Sequence, residues 1–323
     1  MNNEKSRNKL GSDVAAQIKQ RAFELGFAAC GIVQANPVDK NVADRYSNWL
    51  QDGKHGSMSY LELNMELRFD PESLFPGVKS IIVVAMNYKP QTLQSPELPQ
   101  IAYYAYGRDY HKVVKKQLNT LLEYIVKEIA PECNGRAFAD SAPIMERYWA
   151  QQAGLGWIGK NGLLIIPRIG SYIVLGELFV DVDIPADKPL IRNFCGNCMA
   201  CLEACPTKAL YAPGIIDARK CISYMTIEAK GEIPRELSSA LGNRLYGCDA
   251  CQQCCPHNRK TSATTVTDFL PKPELFGLSI EAILAMDEEE FDRISAGSPI
   301  RRAGLDALKK TAQIVKDNQN NKS

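Results

Sequence analysis

Nine of the chain's eleven cysteines lie between Cys195 and Cys255, and their spacing limits what this region can become more than any other feature. The first run is Cys195-x2-Cys198-x2-Cys201-x3-Cys205-Pro206; the second is Cys248-x2-Cys251-x3-Cys255-Pro256, with Cys254 inserted. The first run matches the bacterial ferredoxin pattern for a [4Fe–4S] cluster, in which the fourth cysteine ligates the other cluster. Three thiolates at two-residue intervals wrap one face of a cubane from a tight loop, while the fourth is carried off in the other direction. Two cubanes need eight thiolates. Cys195, Cys198, Cys201 and Cys255 complete one; Cys205, Cys248 and Cys251 leave the second a ligand short, and Cys221 is its natural supply. In the alternative, Cys254 completes it and Cys221 is a buried thiol, but adjacent residues do not easily face two clusters. Paired CxxC motifs also suit zinc; the four-cysteine run and the Cys-Pro endings favour iron–sulfur.

The rest of the composition is ordinary. Of 323 residues, 45% are apolar and 23% charged, and the net charge is +1. This excludes a disordered chain and a protein that holds nucleic acid by bulk charge alone. The opening MNNEKSRNKLGSDV lacks the apolar core of a secretory signal. The most apolar stretch, residues 162–180, is interrupted by Pro167, Arg168 and Glu177, so no membrane span is expected. The expected compartment is the reducing cytoplasm, where dense cysteines bind metal more often than they pair.

Hydrophobic periodicity predicts helices over residues 12–25 (capped by Ser12 or Asp13), 39–50, 109–130 and 143–153. Strands are expected over 28–33, 78–86 and 137–139, with a hairpin joining 163–166 to 171–180 through Pro-Arg-Ile-Gly. Without a strict βαβ rhythm, the expected fold class is α+β, with a mixed sheet in residues 1–185. Residues 186–262 form the cysteine-rich unit. Residues 263–323 follow as a helical segment, with helices over 279–295 and 300–315 and a frayed DNQNNKS end.

Other signals are weaker. Gly154-Leu-Gly156-Trp-Ile-Gly159 has the spacing of a dinucleotide fingerprint, but a helix precedes it and a strand follows, the reverse of the required context. Such a loop still lets a bulky cofactor approach the backbone, with Lys160 and Asn161 placed to meet it. Asp140, at a strand end before a helix, reads either as an N-cap or as a general acid at the mouth of a sheet. His55, His111 and His257 show no metal-pair spacing, and His111 reads as a surface or capping residue. Arg301, Arg302, Lys309 and Lys310 form a basic face, either simply solvated or phosphate-binding.

The segments CGNCMACLEACPTKAL, RKCISYMTIE and NRLYGCDACQQCCPHN, together with ELRFDPESLFPGVKSIIVVAMNY, YGRDYHKV, FADSAPIMER, AGLGWIGKNGLLI and GSPIRRAGLDALKK, resemble the epoxyqueuosine reductases over about residues 10–315. The resemblance implies a nitroreductase-like cobalamin-binding domain joined to a two-cluster ferredoxin-like module. The implied reaction is reduction of the epoxide of epoxyqueuosine, at the wobble position of tRNA, to the alkene of queuosine. It places the catalytic aspartate at Asp140 and the cluster ligands on the eight cysteines above, without Cys254. Arg68, Asp140, Lys160, Asn161, Ser171, Ser223 and Asp249 are implied cobalamin contacts, and Asp140 would need an apolar pocket to keep it protonated. The implied partners are tRNA and an external flavodoxin- or ferredoxin-like one-electron donor; the absence of a heptad or swapped arm in the sequence leads to the expectation of a monomer. Tyr103 departs from the pattern, standing where many members carry arginine.

Overall fold

The computed structural model describes residues 10–321; the signal-free reading of the N-terminus concerns residues largely outside that range. A four-stranded sheet organises the first half. Its strands are β1 (Ala29–Gln34), β2 (Ser80–Asn87), β3 (Gly135–Phe138) and β4 (Ile173–Val180), in the order β1-β2-β4-β3. Every neighbouring pair is antiparallel, with registers such as Ile32↔Ile82, Val83↔Glu177 and Ala137↔Leu178. The α+β class holds, but the mixture of strand directions expected of this sheet is absent. The one named parallel pairing lies elsewhere, between Gln100–Ile101 and Arg244–Tyr246.

Successive strand residues point to opposite faces, so β2, almost wholly apolar, feeds two cores. Ile82, Val84 and Met86 join Leu178 and Val180 under helices α1 (Ser12–Glu24) and α3 (Tyr110–Tyr124). Ile81, Val83 and Ala85 join Phe138, Leu175 and Phe179 on the other side, under α4 (Glu146–Gln152). Helix α2 (Lys40–Gln51) adds Val42 to this second core.

Several local expectations shift. Helix α1 starts after Gly11, and no side chain caps it. Asp109 caps α3 by accepting the His111 N–H, and a π-helical turn, Ile125–Ile129, carries that helix toward Pro131. Helix α4 starts three residues later than expected, because the chain first turns at Asp140, whose φ is +56°. The expected hairpin does not form. Leu164–Ile165 pairs with Trp157–Ile158, β4 belongs to the main sheet, and only an Ile166–Gly170 bridge links the two. The glycines of the GxGxxG stretch serve this packing: a Cβ on Gly156 would overlap the Ile165 carbonyl oxygen. Gly154 likewise admits the Lys188 carbonyl, while Gly159 meets the Ile165 and Asn161 side chains.

A third core ignores the order of segments along the chain. Ile101, Ala105 and Tyr106 pack with Leu245, Tyr246 and the C-terminal helices Ile280–Ala285, Glu288–Ser295 and α5 (Leu305–Asn320). The single helix expected over 279–295 breaks at Met286–Asp287, where Asp287 caps the second piece. The end expected to fray is helical through Asn320, and Asn318 donates to the carbonyls of Ser238 (2.9 Å) and Gly242 (3.2 Å). Among the described residues no helix is long and apolar enough to cross a membrane.

Candidate active site and cysteine centres

Asp140 follows β3 directly. Its left-handed backbone conformation costs on the order of 1 kcal/mol in a residue with a Cβ, and three bonds hold it there. The Asp140 N–H donates to Glu146 Oε1 at 2.7 Å. The Asp140 carboxylate accepts from the Tyr110 hydroxyl and lies 3.2 Å from His111 Nε2. His111 Nδ1 in turn lies 2.6 Å from Asp109 Oδ1, and the Tyr110 and His111 rings stack at 4.1 Å. The first turn of α3 thus presents Tyr110 and His111 to one carboxylate, with Asp109 fixing the imidazole from behind.

The electrostatics correct one expectation. Burial favours a neutral Asp140, but the hydrogen bonds from His111 and Tyr110 outweigh it, and the carboxyl sits below its ordinary range. Asp140 is not kept protonated by an apolar pocket. Burial would lower His111, yet its bonds to Asp109 and Asp140 carry it up to about 9. The proton therefore rests on the imidazole and is shared across the pair. Glu146 is pushed up to about 8, by burial and then by Asp140. Glu177, fully buried in β4 with neither carboxyl oxygen partnered among the described residues, is raised well above its normal value by burial, with Glu146 and Asp140 adding to it.

This arrangement carries a pH signature. His111 gains affinity for its proton on folding, so its contribution to stability is complete below about pH 6.5 and lost as pH rises through about 9. The difference in thermal stability between the parent and His111→Gln is expected to be largest near pH 6 and to vanish above about pH 9. Taking the difference between the two proteins cancels most of the titration of Glu146 and Glu177, which line the same site. A gap that grows with pH would contradict the assignment.

Around Asp140 the structure gathers residues distant in sequence. The Arg302 guanidinium lies 6.0 Å over the Tyr60 ring and pairs with Glu228 at 2.9 Å, and its charge also lowers the Asp140 pKa. Arg68 lies 5.2 Å over the Tyr46 ring, and its buried Nε has no partner among the described residues. Arg147 donates to the Gly162 carbonyl, bringing in the loop that carries Lys160 and Asn161. The buried Asn161 Nδ2 is likewise unpartnered. Ser171 and Asp249 are placed differently. Ser171 Oγ donates to Gln252 at 2.9 Å and accepts from Asn258 at 2.9 Å. Asp249 accepts from the Tyr103 N–H at 2.8 Å, and burial raises its carboxyl to about 6. Tyr103, the departure from the family pattern, also receives a bond from Gln253 and lies 5.5 Å from the Tyr172 ring.

The thiols fall into two groups. Cys195, Cys198, Cys201 and Cys255 line one cavity of about 250 Å³, with Lys160, Asn161, Phe194 and His257. Trp157 Nε1 donates to Cys195 Sγ at 3.4 Å, and Lys160 Nζ donates to the Gly196 carbonyl at 2.7 Å, tying down the cysteine loop. A second set overlaps the first at Cys201. Cys205, Cys201, Cys221 and Cys251 share an apolar cluster with Ala209 and Leu210. Burial, then Cys248 and Cys221, push the Cys251 thiol well up. Cys221 caps the helix Ile222–Ile227, where the N–H groups of Tyr224 and Ser223 oppose the effect of burial. Cys254 sits by Cys255 and Cys198 rather than Cys221, and its thiol donates to the Cys251 carbonyl at 3.6 Å. Among the described residues no three His, Cys, Asp or Glu side chains converge as they would on a single ion.

Sequence reasoning missed His111, Glu146 and Glu177 as site residues. His111 and Glu146 stood inside quoted motifs, and Glu177 was a lone charge inside a buried apolar run, which is itself a signal. The N-cap reading of Asp140 fails, since helix α4 begins six residues later.

Residues 194–258 match the family described as "4Fe-4S double cluster binding domain". That match makes the chain an iron–sulfur oxidoreductase by class. Residues 68–141 match "Epoxyqueuosine reductase QueG, DUF1730". The epoxyqueuosine reductase of Pseudomonas aeruginosa is 44% identical over 299 residues, covering 91% of this chain and 82% of the relative. That of Escherichia coli is 42% identical over 299 residues, covering 91% and 78%. A crystal structure of an epoxyqueuosine reductase with an epoxyqueuosine-modified tRNA-Tyr stem loop superimposes with TM-score 0.87 at 28% identity, covering 94% of this chain and 80% of that one. The Streptococcus thermophilus structure gives 0.87 at 28%, covering 95% and 82%. The chain belongs to the epoxyqueuosine reductase family, whose members are tRNA-modifying oxidoreductases.

Proposed function

We propose that this chain reduces the epoxide of epoxyqueuosine at the tRNA wobble position to the alkene of queuosine. The observation that carries the reading is the Asp109–His111–Asp140 array, a carboxylate–imidazole chain exposed after a strand end, in a chain that also holds a double-cluster cysteine region. The reaction takes two electrons and two protons and releases the epoxide oxygen as water. Cys195, Cys198, Cys201 and Cys255 hold one cluster and Cys205, Cys221, Cys248 and Cys251 the other, so that single electrons pass through the fold. Cobalamin, when bound, supplies an electron-rich cobalt centre to the strained epoxide. Arg68 and Asn161 suit it as holders, because each has a buried donor awaiting a polar partner; Lys160, next to Asn161 in the chain, and Ser223 complete the proposed set, with Ser171 and Asp249 held in the Gln252–Asn258 network.

Asp140 then has one task. As C–O cleavage puts charge on oxygen, it delivers the proton drawn from His111, and Asp109 stabilises the imidazole through the transfer. Tyr110 orients the carboxylate. Glu146 holds the Asp140 backbone in place. A tRNA partner fits the modest net charge if it is held by shape and one unstacked base, with Tyr60, Arg302 and the basic face bearing Lys309 and Lys310 at the rim. In this reading residues 1–185 form the catalytic domain, 186–262 the cluster domain and 263–323 a helical tRNA-facing segment, in a cytoplasmic monomer.

The test is mass spectrometry of tRNA nucleosides from a strain lacking the gene. Epoxyqueuosine is expected to accumulate with queuosine missing, and the wild-type gene should restore queuosine. Normal queuosine in a strain without a second such enzyme would end the tRNA assignment.

A further inference from the structure

The region around Cys195–Cys201 has a second property that the proton chemistry does not use. Residues 191–194 and 196–198 form a run of exposed chain at the mouth of the thiol cavity. Ile191 is 85% exposed and Phe194 42%, although both are large apolar side chains. Phe194 packs on Trp157 with ring centroids 5.0 Å apart, and Trp157 bonds Cys195. The Arg192 guanidinium covers Phe194 at 5.0 Å. Cys198 itself is exposed, whereas Cys205 and Cys255 are buried. Phe194 therefore lines the cavity that holds the exposed Cys198, and Ile191 stands three residues before it in the chain.

The charges around this patch are mostly basic. Lys160, Arg192, Arg259 and Lys260 stand on the cavity or on the segments leading from it. Lys188 lies just upstream, and the acidic residues nearby in the chain are Glu203 and Asp187. Asp187 is already paired with Lys19 at 2.5 Å. An exposed apolar centre with a basic rim suits a protein partner with an acidic face.

We infer that this face is the docking site for a small acidic one-electron carrier protein, which delivers electrons to the cluster held by Cys195, Cys198, Cys201 and Cys255. The inference rests on the proposed function only in that the reaction needs external electrons. RNA is the lesser fit, because the proton donor that RNA must reach lies by Tyr60 and Arg302, and neither Ile191 nor Phe194 belongs to that group. The docking is electrostatically steered, so carrier-dependent turnover falls as salt rises.

The experiment uses the full chain, with an acidic flavodoxin as the probe. Ile191→Glu and Arg192→Glu change exposed side chains outside regular structure, and neither residue is placed in the proton relay or among the thiols. Binding is read directly by titration of the flavodoxin at low salt, and turnover is read with reduced flavodoxin and, separately, with chemically reduced methyl viologen. Each variant is expected to weaken flavodoxin binding, and to raise its KM, by about tenfold, as for truncation of an interface anchor, while viologen-driven turnover stays unchanged. Unchanged flavodoxin binding in both variants overturns the docking site, as does a parent protein that binds no flavodoxin at all. Weaker binding of a tRNA stem loop with flavodoxin binding unmoved gives the face to RNA and overturns it too. If the parent binds flavodoxin through this face but reduces no tRNA with viologen, the proposed function falls and the docking site stands.

Discussion

Asp140→Asn is expected to lower the single-turnover rate by roughly 10²–10⁴-fold, the range for loss of a general acid, while iron content and folding stay at parent levels. The substitution isolates the proton. Asparagine tolerates the left-handed conformation at φ +56° about as well as aspartate does. Its backbone N–H keeps the bond to Glu146, and its amide oxygen can still accept from Tyr110. What disappears is the anion that shares a proton with His111. Rates should be measured with a chemical reductant, so that delivery of electrons by a carrier protein cannot limit them. A loss of less than about threefold would put Asp140 outside the transition state. His111→Gln tests the same pair from the other side: it leaves the carboxylate without its proton source, and the rate should then rise as pH falls and Asp140 begins to protonate by itself.

Cys221→Ser should remove one whole cluster, cutting iron from about eight to about four atoms per chain, because a cubane needs four thiolates. Cys254→Ser should leave iron near eight. The prediction follows from placement: Cys221 sits at a helix start by Cys205, Cys248 and Cys251, while Cys254 lies by Cys255, Cys198 and Cys201 and reaches Cys251 through its backbone carbonyl. Iron analysis together with electron paramagnetic resonance of the reduced protein separates the outcomes. If Cys254→Ser loses the four irons and Cys221→Ser keeps all eight, the ligand sets must be redrawn. The two variants also differ in consequence, since loss of the second cluster should stop turnover with any donor.

Much of this was legible in the chain. The cysteine spacing pointed to a double-cluster region because ferredoxin loops are local and the distances between ligands are set within a few residues. Strand β2 was legible from its β-branched run, and α3 from its long apolar stripe. What failed was what depends on distant partners. The hairpin over 163–180 looked sound locally, but β4 pairs with β2 and β3, whose residues lie far along the chain. The charge state of Asp140 was misjudged for the same reason. Its strand end and its acidity were visible, while the two side chains that hold it anionic come from a helix 30 residues earlier. Glu177 shows the reverse case, a residue whose oddity was plain in the sequence and whose neighbours were not.

The pairing of Gln100–Ile101 with Arg244–Tyr246 bears on how the molecule is made. Chains leave the ribosome N-terminus first, so Ile101 and Tyr106 wait for their third-core partners until Leu245, Tyr246 and the last helices emerge. Every cysteine of the cluster region is synthesised inside that interval or just after it. Iron delivery and closure of the third core therefore meet late in synthesis, and a nascent chain stopped short of Leu305 would display its thiols next to an unfinished core.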